Sequence, residues 1–182
     1  MTTHDNPLVE LVRRIEGLPA LDGVDAALTP LAQPLVDDPR LRDLLQGTWI
    51  GHALHPIMTD LPLGLWTSAS VLDLLGGPQD RHAARRLMGL GVLSALPTAV
   101  TGLAEWASVT SRADRRTGAL HALLNVTALA CYAGSWRARR KRPEGGVALA
   151  LAGATAAAAA GYLGGHLTAA RKVSSRHPAF EE

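Results

Sequence analysis

Hydrophobic positions fall into two regimes along the chain. Up to about residue 50 they are sparse and recur at helical spacing, whereas beyond it they merge into long runs. Leu8, Leu11, Val12 and Ile15 repeat three and four residues apart with Glu10, Arg13, Arg14 and Glu16 between them, the pattern of a short amphipathic helix. Beside a membrane such a helix lies on the surface or packs on the ends of a helical bundle; the pattern allows both. Pro19, Pro30, Pro34 and Pro39 divide the rest of this region. No charged residue occurs in Leu61–Leu72, Leu87–Ala104, Thr117–Trp136 or Gly145–Ala170. Apolar runs of about 18 or more residues read as membrane spans. The runs predict four transmembrane helices, at about 57–76, 87–106, 117–136 and 146–168.

Local signals support these bounds. Pro56 suits the first helical position, Pro62 and Pro97 predict kinks, and Gly76–Gly77–Pro78 ends the first span. Gly161 and Gly165 form a small-xxx-small pair that would let the last helix approach a neighbour closely. Trp106 and Trp136 stand at helix ends, where amphipathic rings anchor at the lipid boundary. The expected fold is all-α: a polytopic membrane protein with a four-helix up-down bundle. Residues 1–50 would be an amphipathic region at the membrane surface, 51–170 the transmembrane domain and 171–182 a polar tail. No apolar core near the start precedes a cleavage site, so no secretory signal is expected.

Composition agrees. The 182 residues are 47% hydrophobic, 19% charged and 4% aromatic, with one cysteine and a net charge of +2. Average domains have about 25% charged residues, and the charges here crowd into the first 56 residues and the loops. This excludes a soluble enzyme, a disordered chain and a disulfide scaffold. The basic loops are ordinary topogenic charge rather than a nucleic-acid surface. Eight Lys and Arg flank the spans on each side (Arg40, Arg42, Arg112, Arg115, Arg116, Arg171, Lys172 and Arg176 against Arg81, Arg85, Arg86, Arg137, Arg139, Arg140, Lys141 and Arg142). The positive-inside rule therefore assigns no orientation.

Four spans bring scattered polar residues to one side. On the face carrying the N-terminus, face A, lie His52 and His55 before the first span, and Asp60 and Glu105 near its level. His121 and His166 each sit about four residues inside a span end, roughly 6 Å deep at 1.5 Å per residue. On the other side the spans hold only Asp73, near Arg81, Arg85 and Arg86. Ionisable groups in a bilayer usually face the bundle interior. Helical spacing gives stripes at His121/Asn125/Ala128/Tyr132, Thr155/Ala159/Tyr162/His166, Thr98/Thr101/Glu105 and Asp60/Gly64/Thr67, expected to form a polar seam.

Several chemistries fit these residues. Paired imidazoles could clamp a b-type haem, with His121 and His166 as the axial pair because their depths match and His55 as substitute. Gly64, Gly118, Gly161, Gly164 and Gly165 would leave room for the macrocycle, and Asp60 and Glu105 would tune charge or carry protons. Alternatively His52, His55, His121 and His166, with Asp60 or Glu105, could bind zinc, iron or copper. A third reading is a cofactor-free proton relay in transport, and a fourth a membrane scaffold or partner subunit whose histidines satisfy one another. Cys131 reads as a small packing residue. No nucleophile elbow, phosphate loop or CxxC pair is present, so no catalytic residue is assigned.

The segment Gly51-His-Ala-Leu-His-Pro-Ile-Met-Thr-Asp-Leu-Pro-Leu-Gly-Leu-Trp66, continuing to Leu72-Asp73-Leu74-Leu75-Gly76-Gly77, resembles the bacterial DUF2231 membrane family. Leu45-Gln-Gly-Thr-Trp49, Pro97-Thr-Ala-Val-Thr-Gly-Leu-Ala-Glu-Trp106, Gly118-Ala-Leu-His121 with Asn125, and Gly164-Gly-His166 look similar to it as well. The resemblance places the four histidines at the family's motif positions and implies a multi-pass protein of the bacterial cytoplasmic membrane. Some members are fused to a Rieske-type iron–sulfur domain, which implies electron transfer. This chain has no Cys/His cluster for such a domain, so its partner would be a separate redox protein or a quinone. A second copy of the chain is a further partner, in a homo-oligomer.

Overall fold

The computed structural model describes residues 6–142 and 144–180; the first five and last two residues of the expected terminal segments lie outside them. All regular elements among these residues are helical, apart from one antiparallel bridge between His52 and Arg176. Three short helices come first: α1 (Pro7–Glu16), α2 (Asp22–Ala32) and α3 (Pro39–Gln46). Four long ones follow: α4 (Leu54–Leu75), α5 (Arg81–Ala107), α6 (Arg112–Ala138) and α7 (Val147–Gly165), the last continuing through a π turn to Ala170. Asn6, Asp38 and Ser111 cap α1, α3 and α6 by accepting backbone N–H bonds, as these residue types do at N-caps. The turn from α3 to α4 passes through left-handed Gly47, where a Cβ would stand 2.7 Å from the backbone of His52 and Leu54. Only glycine fits there.

By length and composition, two helices can cross a membrane: Pro78–Ala107 and Val147–Ala170. α4 and α6, of 22 and 27 residues, are as long but more polar, because α4 carries Asp60 and Asp73 and α6 carries His121 and Asn125. Helix bounds lie within six residues of those expected, α5 and α6 starting earliest, at Arg81 and Arg112. α4 begins at Leu54, so His55 is inside the helix and Pro56 is its third residue, a position whose N–H needs no intrahelical partner. Pro62 does not break α4. It leaves the Met58 carbonyl without its usual donor, and the Thr98 hydroxyl of α5 reaches that oxygen at 2.9 Å.

Rings seated on glycines hold the long helices together. A Cβ on Gly91 would collide with the Trp66 indole, one on Gly89 would lie 2.6 Å from Trp136, and one on Gly118 2.7 Å from Trp106. Trp66 also stacks on Tyr132 at 4.0 Å. Trp106 and Trp136 thus point into helix contacts rather than out to lipid, each with a guanidinium over its ring, Arg115 at 4.0 Å and Arg140 at 4.8 Å. On α7 the inward residues are Ala150, Gly153, Ala157, Ala160 and Leu163. Gly161 and Gly165 meet nothing within 4 Å, so the close approach expected of that pair is made one face round. The expected stripes through Thr155, Ala159 and Tyr162 and through Asp60, Gly64 and Thr67 are exposed. The smaller side chains of each helix face its neighbours, and of the expected stripes Thr98 and Thr101 of α5 and Ala128 and Tyr132 of α6 are buried. Large aliphatic residues lie outside on all four helices, including Leu61, Leu74, Leu93, Leu96, Leu123, Val126, Leu149 and Leu151.

Two polar layers close the ends. Away from the N-terminus, Arg139 donates to both oxygens of Asp73 at 2.6 and 2.5 Å and to Ser135, with neither member of the ion pair appreciably exposed. The three arginines expected beside Asp73 are not its partners; Arg81 pairs with Glu144. On face A the short helices lie across the ends of α5 and α6. Asp22 accepts from Arg112 and Arg116, Asp25 from Arg115, and the Gln46 amide donates to the Ala104 carbonyl. The N-terminal helices pack on the bundle ends, with Leu8, Val9 and Leu11 of α1 left exposed.

The two guanidinium groups hold the Asp22 carboxyl well below the usual carboxylate range. A lowered folded-state pKa means a contribution present in full above the ordinary value of about 3.9 and lost as pH falls through and below it. Protection of α1 and α2 from hydrogen exchange should therefore fall between pH 5 and about pH 3, and Asp22→Asn should show the loss at pH 7. Unchanged protection in both would refute the clamp. For the interior, Gly91→Ala should cost about 1–3 kcal/mol by overpacking. Gly64→Ala, with nothing within 4 Å of its Cβ, should leave the thermal midpoint equal or higher. Equal midpoints for the two variants would contradict the seating of Trp66.

Candidate functional site

α4, α5, α6 and α7 meet near face A around two imidazoles. His55 comes from the first turn of α4 and rests on Gly102 of α5, whose Cβ would lie 2.7 Å from the ring. Its Nδ1 lies 3.0 Å from the Thr98 carbonyl oxygen and 3.4 Å from the Thr101 hydroxyl. His121 comes from α6 and rests on Gly164 of α7, where a Cβ would lie 3.0 Å away, with its Nδ1 2.8 Å from the Ala160 carbonyl oxygen. A carbonyl only accepts, so both Nδ1 atoms carry the proton and both Nε2 atoms present a lone pair. The two rings stand edge to face, 6.3 Å apart at 86°. The Asn125 amide donates to His121 Nε2 at 3.0 Å and to the His121 carbonyl at 2.9 Å.

The other expected residues go elsewhere. His52 is exposed in the loop before α4, its Nδ1 3.1 Å from the Ala53 carbonyl. His166 points to the N-terminal region, with Nε2 3.3 Å from Glu16 of α1. Gly164 faces His121, and two further residues turn a helix by about 200°, which carries His166 round α7. Asp60 is exposed on α4. Among the described residues no three His, Cys, Asp or Glu side chains gather to hold a metal ion. The glycines expected to make room for a macrocycle do not line a slot. Gly118 and Gly164 are filled by Trp106 and His121, and Gly64, Gly161 and Gly165 face open space.

Glu105 shares a face of α5 with Thr98 and Thr101, as its spacing predicted. One carboxylate oxygen accepts from the Ser175 N–H at 3.0 Å and from its hydroxyl at 2.9 Å, while the other is buried without a partner. The chain beyond α7, expected as a polar tail, is docked as far as it is described. Arg171 pairs with Asp114 at 2.6 Å, Lys172 turns the chain at a positive φ of 56°, and the His177 N–H donates to Gly51 at 3.0 Å. A cavity of about 840 Å³ opens under this segment, lined among others by Gln46, Trp49, Glu105, Ser108 and Arg176. Ser175 carries no signal in sequence: a serine twelve residues beyond Leu163 has no periodicity to place it. The opposed charges of Asp22 and Asp25 and of Arg112, Arg115 and Arg116 were legible, but not as partners.

A family model described as "Predicted membrane protein (DUF2231)" matches residues 51–177, which takes in the four long helices and most of the docked tail. No curated protein and no solved structure matches the chain.

Proposed function

The chain belongs to the DUF2231 family of predicted membrane proteins, and from that premise we propose that it crosses the membrane four times and carries a metal-binding redox centre on His55 and His121. The four-span reading is supported by the outward aliphatic residues on α4, α5, α6 and α7 around an interior of small residues, rings and hydroxyls. Lipid tails are as apolar as leucine, so contacts between spans favour small residues and leave large ones outside. The spans make it a multi-pass protein of the bacterial inner membrane.

One observation carries the site reading: both imidazoles are anchored through Nδ1 on a carbonyl of the adjacent helix and present Nε2. Metal-ligating histidines use this arrangement, since the anchored N–H fixes tautomer and ring orientation. Imidazole ligands suit iron, copper and zinc, of which the first two are redox-active. A metal would take Nε2 of His55 and of His121, displacing the Asn125 amide, and would complete its coordination from outside these two rings. The packing favours a single ion. Haem b needs α4 and α6 to part at these rings, and a His121–His166 axial pair needs α7 to turn and Glu16 to release His166. Glu105, on the Thr101 face of α5, would carry protons between face A and His55. The electron partner would be a separate redox protein or a quinone.

A second reading rests on the Asn125 bond. That bond satisfies His121 Nε2 without any ligand, as a cofactor-free scaffold or partner subunit would require. Metal analysis and oxidised and dithionite-reduced spectra of the detergent-purified protein, expressed with iron, copper and haem supplied, separate the two. The redox reading predicts stoichiometric iron or copper, lost in His55→Ala and in His121→Ala with helical content kept, and retained in His52→Ala and His166→Ala. A Soret band lost on changing His166 would put haem in place of the ion. Neither metal nor haem in the wild-type protein would leave the scaffold.

A further inference from the structure

The two ends of the bundle spend their charge differently. On face A the arginines are engaged: Arg112 and Arg116 with Asp22, Arg115 with Asp25, and Arg171 with Asp114. The opposite end carries eight Lys and Arg, within Arg81–Arg86 and Arg137–Arg142, against Asp73, Asp80 and Glu144. All three carboxylates have partners: Asp73 holds Arg139, Glu144 holds Arg81, and Asp80 accepts from the Gly77 N–H at 2.8 Å. Arg85, Arg86, Arg137, Arg140, Lys141 and Arg142 have no carboxylate partner among the described residues, and all but Arg85 are exposed.

Packing gathers part of this charge at one seam. Trp136 of α6 is seated on Gly89 of α5, and the Arg140 guanidinium lies 4.8 Å from the indole centroid. Arg85 and Arg86 stand four and three residues before Gly89, so they lie on its side of α5, one turn nearer the helix start. Arg140 stands one turn beyond Trp136, nearer the end of α6. The contacts of Gly89 with Trp136 and of Gly118 with Trp106 set the two helices antiparallel. They bring these three arginines to the mouth of the α5–α6 seam. Like charges so placed repel one another, and an anion between them relieves the repulsion.

Surroundings name the anion. Leu90, one turn inward from Arg86, is exposed, as are Leu74 and Leu75 where α4 ends. In the four-span reading, on which this inference rests, these leucines meet lipid and the mouth of the seam stands at headgroup depth. Clusters of about four to eight Lys and Arg beside a membrane helix attract acidic lipids, and phosphate suits the planar donor fork of arginine. We propose that this end of the bundle binds acidic phospholipid headgroups, with Arg85, Arg86 and Arg140 on the phosphate at the α5–α6 seam and Arg137, Lys141 and Arg142 adding charge around it.

The preference is read from nanodiscs holding equal amounts of phosphatidylglycerol and phosphatidylcholine with the same acyl chains, from which the full-length protein is released for native mass spectrometry. Retained lipid should be enriched in phosphatidylglycerol about tenfold or more. The triple variant Arg85→Gln, Arg86→Gln and Arg140→Gln should lose most of that enrichment with helical content kept. The variant Arg13→Gln, Arg14→Gln and Arg40→Gln, which removes the same charge from exposed positions on face A, should keep it. On the wild-type protein in detergent, water-soluble short-chain phosphatidylglycerol should bind, and raising salt from about 0.1 M to about 1 M should release it as the screening length falls from about 10 Å to about 3 Å. That comparison needs neither a variant nor a bilayer. Acidic-headgroup binding by a protein whose α4 or α6 is reached from water would keep this site and remove the four spans. Equal retention of the two lipids, enrichment unchanged in the seam variant, or binding indifferent to salt would overturn the proposal and leave the four-span reading to its own test.

Discussion

Five rings set into five glycines tie the long helices to one another. His55 and Trp66 of α4 enter notches at Gly102 and Gly91 of α5. Trp106 of α5 and Trp136 of α6 fill reciprocal notches at Gly118 and Gly89, and His121 of α6 enters the notch at Gly164 of α7. Each notch exists because the glycine has no Cβ, and each admits one flat ring edge rather than a branched aliphatic chain. The consequence is a bundle with its large aliphatic residues outside and its rings, hydroxyls and small residues within. In water that distribution would leave a broad apolar surface exposed. Against lipid it costs nothing, and close helix approach supplies dispersion and hydrogen bonding in place of a hydrophobic core.

The candidate site follows from the same packing. His55 and His121 are two of the five rings, so their orientation is set by a glycine on one side and a main-chain carbonyl on the other. Neither depends on a loop. The Thr98 hydroxyl reaches the Met58 carbonyl that Pro62 frees, and the Thr98 carbonyl accepts from His55. A helix-breaking residue in α4 is thereby joined to the placement of an imidazole on the same helix. Glu105 stands at the end of this polar face of α5, where the bundle gives way to the layer formed by α1 to α3 and the returning chain end.

What the sequence disclosed was the long-period pattern. Charge-free runs between arginine-rich turns locate the four helices, and the spacing of Thr98, Thr101 and Glu105 gives one buried polar face. Rotation about each helix axis was less legible. In α7 thirteen of the nineteen residues are alanine or glycine, so hydropathy has little phase, and the inward face is decided by where His121 and Tyr132 leave room. In α4 Asp60 suggested an inward stripe, but Trp66 needs the inward side and turns Asp60 out. Matching depths suggested His121 and His166 as partners, yet depth says nothing of azimuth, and two residues of rotation deliver His166 to Glu16. The Asp73–Arg139 pair escaped because the nearest arginines in sequence are not the nearest in space.

A four-span bundle requires α4 and α6 to cross the bilayer with α5 and α7, although they carry Asp60, Asp73, His121 and Asn125. The most direct measurement is labelling of single cysteines by a membrane-impermeant maleimide in intact membranes, with Cys131 replaced by serine. Cysteines in place of Leu61, Leu93, Val126 and Leu151, all outward-facing and one on each long helix, should stay unlabelled until detergent is added. Cysteines at Gln79 and Thr110, in opposite turns, should label from opposite sides. Labelling at Leu61 or Val126 before detergent would place α4 or α6 in water and contradict the four-span bundle.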